Sequence, residues 1–169
     1  DETEVPDLTI VEHVPRGGGR PRQHCFKYSM PGDPLPLLTF IAIHVATGEM
    51  VSFPQWQAPV MTYSPFCLRM AWVGEEGTGW FIRFDRYRRS AELVQLDFGT
   101  GAGRCVIAER VESGYIDLNP MYFRTPNVRA LARSREIIWF SECDGRGHFY
   151  LYDADTGRLK NQITRGEWI

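Results

Sequence analysis

The chain has 169 residues, 43% of them hydrophobic, 24% charged and 13% aromatic, and its formal net charge is -2. That length fits one domain, the balance fits a globular protein, and the aromatic excess leans toward pleated sheet. The weak charge leaves no basic footprint for nucleic acid or anionic lipid, and no apolar run reaches transmembrane length.

In chain order, the first 30 residues read as an edge strand, Leu8 to Val14, and a loop. Arg16-Gly17-Gly18-Gly19-Arg20-Pro21-Arg22 has the form of a basic RNA-binding tract. No aromatic residue is interleaved, so it reads as a flexible connection. Pro31, Pro34 and Pro36 make an extended lead into a strand that begins near Leu37.

Leu38 to Val45 alternates apolar and polar, reaches the turn Val45-Ala46-Thr47-Gly48-Glu49, and returns in a short run ending near Phe53. Asp, Thr and Gly favour tight turns, because glycine accepts positive φ and Asp or Thr bonds to the local backbone. A strand, such a turn and a second strand make a hairpin. The signature recurs as Asp97-Phe98-Gly99-Thr100-Gly101 and as Asp153-Ala154-Asp155-Thr156-Gly157. Its last glycines, Gly48, Gly101 and Gly157, lie 53 and 56 residues apart.

A second hairpin accompanies each later copy. Arg69 to Val73 and Trp80 to Phe84 form one, with the solvated turn Glu75-Glu76 between them; Met121 to Phe123 and Ile137 to Ser141 form the other. The charged stretch Arg86 to Leu93 reads as a strand–turn–strand crossing, because the repeat requires it there. Each unit is then four antiparallel strands with a period near 50, the pattern of a β-propeller blade.

The predicted fold is all-β, a partial β-propeller. It has two blades, about 66–110 and 115–165, preceded by the outer half of another, about 37–54. Closing a propeller takes roughly 4–8 blades. The chain is therefore expected to be a piece of a larger propeller, or to cover its exposed sheet faces by pairing with further copies as a homo-oligomer.

Cys25, Cys67, Cys105 and Cys143 are far apart and form no C-x-x-C pair, which argues against zinc or redox chemistry. They are expected as buried or half-buried thiols. His13, His24, His44 and His148 are scattered without metal-ligand spacing, and the Asp144 and Asp153–Asp155 segments lack the EF-hand offsets. No metal or cofactor is expected.

Specific strings carry a family resemblance. Trp139-Phe140-Ser141-Glu142-Cys143-Asp144-Gly145, His148-Phe149-Tyr150-Leu151-Tyr152 and Asn161-Gln162-Ile163-Thr164-Arg165-Gly166-Glu167-Trp168 follow one another at the end of the chain. Asp1 to Pro6, Phe26 to Pro34 and Asp85-Arg86-Tyr87 precede them in order. Together they resemble the propeller region of dipeptidyl peptidase IV-type serine peptidases, over nearly the whole chain. The resemblance implies a propeller joined to a C-terminal α/β-hydrolase domain and removal of N-terminal dipeptides with Pro or Ala second. It implies a part that gates and positions peptide N-termini, with peptide substrate met through the parent enzyme. The alternatives are a protein-binding or scaffold module without peptidase activity and a self-assembling partial propeller.

The chain itself has no G-x-S-x-G nucleophile elbow, so no catalytic residue is assigned. The family's paired glutamates that hold the substrate amine would fall before Asp1. Tyr115 stands where the family has Trp, and Leu118 and Asn119 where some members place Arg and Phe at the substrate pocket. By that resemblance Tyr115, Asp117 and Asn119 are the candidate substrate-channel residues. The compartment is open between periplasmic, secreted and cytosolic, with the first two favoured.

Overall fold

A computed structural model describes residues 1–60, 71–75, 77–118 and 126–167. Among them the chain forms twelve strands in four antiparallel sheets, with no helix. β1 (Asp7–Glu12) pairs with β2 (Arg22–Lys27), and β3 (Leu37–Ile43) with β4 (Met50–Pro59). The strands β5 (Ala71–Val73), β6 (Thr78–Phe84), β7 (Ser90–Asp97) and β8 (Gly103–Arg110) form one four-stranded sheet. The second contains β9 (Val128–Leu131), β10 (Glu136–Ser141), β11 (His148–Asp153) and β12 (Leu159–Gln162). In both, spatial order follows chain order, the meander of a propeller blade.

The β5–β8 sheet is the middle layer, and strand alternation explains how it holds both neighbours. On β6 and β7, Trp80, Ile82, Phe84, Ala91 and Leu93 face the β9–β12 sheet, where they pack with Ile137, Trp139 and Val128. The intervening Phe81, Val94 and Leu96 face the β3–β4 hairpin and pack with Phe53 and Ala58. Phe40 stacks on Phe81 there, with ring centroids 4.0 Å apart. Each such aliphatic or aromatic side chain, fully buried, contributes about 1.5–3 kcal/mol. β8 is bulged: Leu93 pairs with Ile107 and Val94 with Cys105, leaving Val106 as the extra residue. Val106 and Ile107 both join the core against the β9–β12 sheet.

The three turn signatures fold alike. The backbone N–H groups of Gly48, Gly101 and Gly157 donate to the carbonyls of His44, Asp97 and Asp153 at 2.8–3.0 Å. Each glycine has φ between 68° and 74°, the left-handed region that glycine adopts without strain. Asp97 Oδ1 accepts from the N–H groups of Gly99 and Thr100, and Asp153 Oδ1 from those of Asp155 and Thr156. These backbone donors hold both carboxyls below the ordinary aspartate range; Thr100 N–H acts most on Asp97 and Thr156 N–H most on Asp153. In the first turn His44 occupies the Asp position, and its Nδ1 accepts from Thr47 N–H at 3.3 Å.

Three sequence expectations are corrected. The N-terminal segment is a hairpin rather than one strand and a loop: its second strand is β2, and the glycine-rich tract connects the two, with Gly18 and Gly19 at φ 73° and 106°. The strand paired with Ile137–Trp139 is Val128–Ala130; Met121 to Phe123 lies outside the described residues. Cys25, Cys105 and Cys143 are free and exposed rather than buried, and Cys67 lies outside the described residues.

Candidate functional site

The candidate channel residues follow β8, at the end of the sheets where the β6–β7 turn also lies. Asp85 shapes that turn: its Oδ1 accepts from Ser90 N–H at 2.8 Å and its carbonyl from Arg88 N–H at 3.0 Å. Arg88 has φ 55°, a left-handed conformation uncommon for a residue with a Cβ. That conformation sets Arg88 against the segment after β8. Ile116 N–H donates to Arg88 carbonyl at 2.7 Å, and Arg88 Nε donates to Ile116 carbonyl at 3.2 Å. Its guanidinium also lies over the Phe84 ring, 4.5 Å from the centroid.

This clasp positions Tyr115 and Asp117. Ile116 and Leu118 are buried in the core between the sheets, so by alternation the residues beside them turn outward. Tyr115 is 64% exposed. Asp117 is half-buried and faces Arg88, with Oδ1 and Nη2 3.6 Å apart. Asn119 lies outside the described residues. Nearby, Arg86 donates to the carbonyls of Met30 and Asp33, tying the proline-bearing loop to the same turn. The motif Asp85-Arg86-Tyr87 thus marks a junction of three chain segments, although its two arginine contacts were not legible from the motif itself.

Chemically the site offers an exposed phenol and a carboxylate already neutralised by a guanidinium. Its described residues offer surface for contact and orientation. Among the described residues no group of His, Cys, Asp or Glu could hold a metal ion.

The opposite end carries a cleft of about 690 Å³ between the two four-stranded sheets, lined in part by Trp72, Glu75, Arg104, Arg133, Arg135 and Asp155. Arg104 spans it as a strut: Nη1 and Nη2 donate to the carbonyls of Asp155 and Ala154 at 2.7 and 2.6 Å, and Nε to Gln95 Oε1 at 3.0 Å. Arg135 pairs with Asp155 at 2.5 Å. Cationic and anionic side chains both line this cleft, and the Arg104 hydrogen bonds tie one sheet to the next.

The architecture has counterparts among known proteins. The Porphyromonas gingivalis dipeptidyl peptidase 4 structure superposes with a TM-score of 0.68 at 17% identity, covering 99% of this chain and 22% of that one. A putative dipeptidyl aminopeptidase IV from Bacteroides ovatus gives 0.69 at 20% identity, covering 99% and 25%. The chain therefore spans about a quarter or less of these structures, and at such identities the likeness is one of fold. All of residues 1–169 match the family described as the dipeptidyl peptidase IV (DPP IV) N-terminal region. With its stacked antiparallel blades and a family match along its entire length, the chain belongs to the DPP IV N-terminal region family as a partial β-propeller.

Proposed function

We propose that the chain is the non-catalytic propeller segment of a serine dipeptidyl peptidase, gating access to the active site and positioning peptide N-termini. The observation that carries this reading is the family match over the full chain, together with a fold likeness to two dipeptidyl peptidase structures. The sequence supplies no nucleophile elbow, so acyl transfer through a serine ester belongs to an α/β-hydrolase domain outside these residues. Within the segment, Tyr115 provides exposed aromatic surface at the end clasped by Arg88, whose hydrogen bonds with Ile116 hold the segment that bears it. Asn119 follows in the same stretch as a third channel residue.

The test is hydrolysis of a Gly-Pro chromogenic substrate by the parent polypeptide and by the 169-residue chain side by side. The parent is expected to cleave and the isolated chain to be inert. Turnover by the isolated chain would overturn the non-catalytic reading. An inactive parent would leave a binding or scaffold propeller in its place. In an active parent, Tyr115→Ala is expected to raise KM for peptide substrates more than it changes kcat, because a channel wall contributes binding rather than chemistry.

A further inference from the structure

The two four-stranded sheets are closed against each other at one end and part at the other. Toward the Arg88 turn, Ile82, Phe84 and Leu93 fill the space up to Val128, Ile137 and Trp139. At the opposite end Trp72 and Trp80, directly paired across β5 and β6, form one wall of the 690 Å³ cleft. The other wall carries Ala130, Ala132 and Ala154, whose methyl groups are too short to close the gap. Gly74 lets the indole of Trp80 lie close to the β5–β6 turn, since a Cβ there would fall 2.8 Å from Trp80 Nε1. Both walls are successive blades of this chain, so no further blade of a ring stands between them. The cleft opens away from Tyr115, at the end remote from the candidate channel residues. Its volume is that of a site for a small molecule.

The charges around the cleft do not cancel. Of the three arginines that line it, Arg135 alone pairs with a carboxylate among the described residues, that of Asp155. Glu136 is taken by Lys160. Arg104 is half-buried, and its bonded partners, Gln95 Oε1 and the carbonyls of Ala154 and Asp155, are all uncharged. The guanidinium therefore keeps its full charge and has further N–H groups to donate. Arg133 is exposed in the β9–β10 turn. Two guanidinium groups thus share the cleft with one uncommitted carboxylate, that of Glu75. A half-buried cation attracts an anion more strongly than an exposed one, because less water screens it.

We propose that this cleft is a binding site for a small aromatic carboxylate. The ring lies in the slot between Trp72 and the alanines, and the carboxylate meets Arg133 and the remaining N–H groups of Arg104. A flat ring gains offset or edge contact with the indole, and a guanidinium fork matches the two oxygens of a carboxylate. The inference rests on the two walls and their charge and not on peptidase activity.

Fluorine NMR of para-fluorophenylacetate titrated into the parent polypeptide tests it, with thermal melts as folding controls. The probe is expected to broaden and saturate at millimolar concentration or below. The uncharged para-fluorophenylacetamide, of nearly the same shape, is expected to bind at least about tenfold more weakly, since a guanidinium favours a carboxylate over an amide. Arg133→Ala should weaken the acid at least about tenfold, by loss of the same charge-assisted contact. Ala130→Leu should abolish binding by filling the slot. Should that variant melt early, Ala132→Leu, at an exposed position, replaces it with the same expectation. No binding by the wild type up to the solubility of the probe, equal binding of acid and amide, or an affinity unchanged by either Arg133→Ala or the leucine variant would each overturn the proposal.

Discussion

The indole Nε1 of Trp139 donates to Oε2 of Glu109 at 2.7 Å, across the boundary between the β9–β12 and β5–β8 sheets. Oε1 of the same carboxylate accepts from Ser141 Oγ at 2.8 Å. Trp139 is fully buried, so without Glu109 its N–H would lose its partner in an apolar setting. Glu109→Ala is expected to cost about 1–3 kcal/mol, the penalty for a buried donor left unsatisfied. Glu109→Gln keeps an acceptor and should recover part of the loss. Urea unfolding followed by tryptophan fluorescence separates the two variants, and equal stability of Ala and Gln would contradict this account.

Substituting alanine into the equivalent turn glycines should give unequal costs. Gly48→Ala meets open space and is charged only for a left-handed residue, roughly 1–2 kcal/mol. Gly157→Ala has the same backbone cost at φ 68° and in addition drives a methyl into the Val106 carbonyl. Denaturant midpoints measured in dilute protein should therefore fall much further for Gly157→Ala than for Gly48→Ala.

Arg88 is expected to matter more than its ionic partner. Arg88→Ala removes the hydrogen bond to the Ile116 carbonyl, the cover over Phe84 and the pairing with Asp117 together. A loss of about 1–3 kcal/mol is expected, in the range of a hydrogen bond to a charged group plus a cation–π contact. Asp117→Asn should cost no more than about 1 kcal/mol, because both partners are about a third exposed and such pairs are weak. Thermal melts of the two single variants decide the order.

Acid should loosen the β7–β8 and β11–β12 turns. The folded-state pKa values of Asp97 and Asp153 lie below the ordinary aspartate value because backbone N–H groups bond to the carboxylates. A depressed folded value means that the unfolded chain takes up protons first. The stabilisation is therefore complete above the ordinary aspartate value, near 4, and is lost as pH falls through the lower folded values. Glu136, lowered mainly by its hydrogen bond from Lys160, adds in the same direction. The double variant Asp97→Asn, Asp153→Asn is expected to be less stable at neutral pH and to lose less stability on acidification. Urea midpoints measured from pH 7 down to acid pH read out both effects.

The sequence by itself determined what local chemistry can encode. The three turns were legible because Thr and Gly at fixed offsets, with Asp ahead of them in two of the three, supply acceptors and the left-handed residue that the turn needs within five residues of one another. The all-β class followed from alternation, as in Trp80 to Phe84, whose side chains do divide between two packed layers. The absence of a nucleophile elbow is likewise a property of the sequence alone.

Only the tertiary structure decided what depends on distant partners. Strand β2 has all of its residues exposed, so no alternation announced it behind the glycine-rich tract. Asp117 stands in sequence as a free carboxylate, and its guanidinium comes from Arg88, 29 residues earlier. Glu109 and Trp139 are 30 residues apart and meet only because two sheets stack. The exposed cysteines follow the same rule, since a thiol is buried by the neighbour laid over it, not by its own side chain. Turn chemistry acts through bonds made within a few residues. Packing, ion pairing and exposure are set by which surfaces the stacked sheets bring together, and that is a property of the whole arrangement.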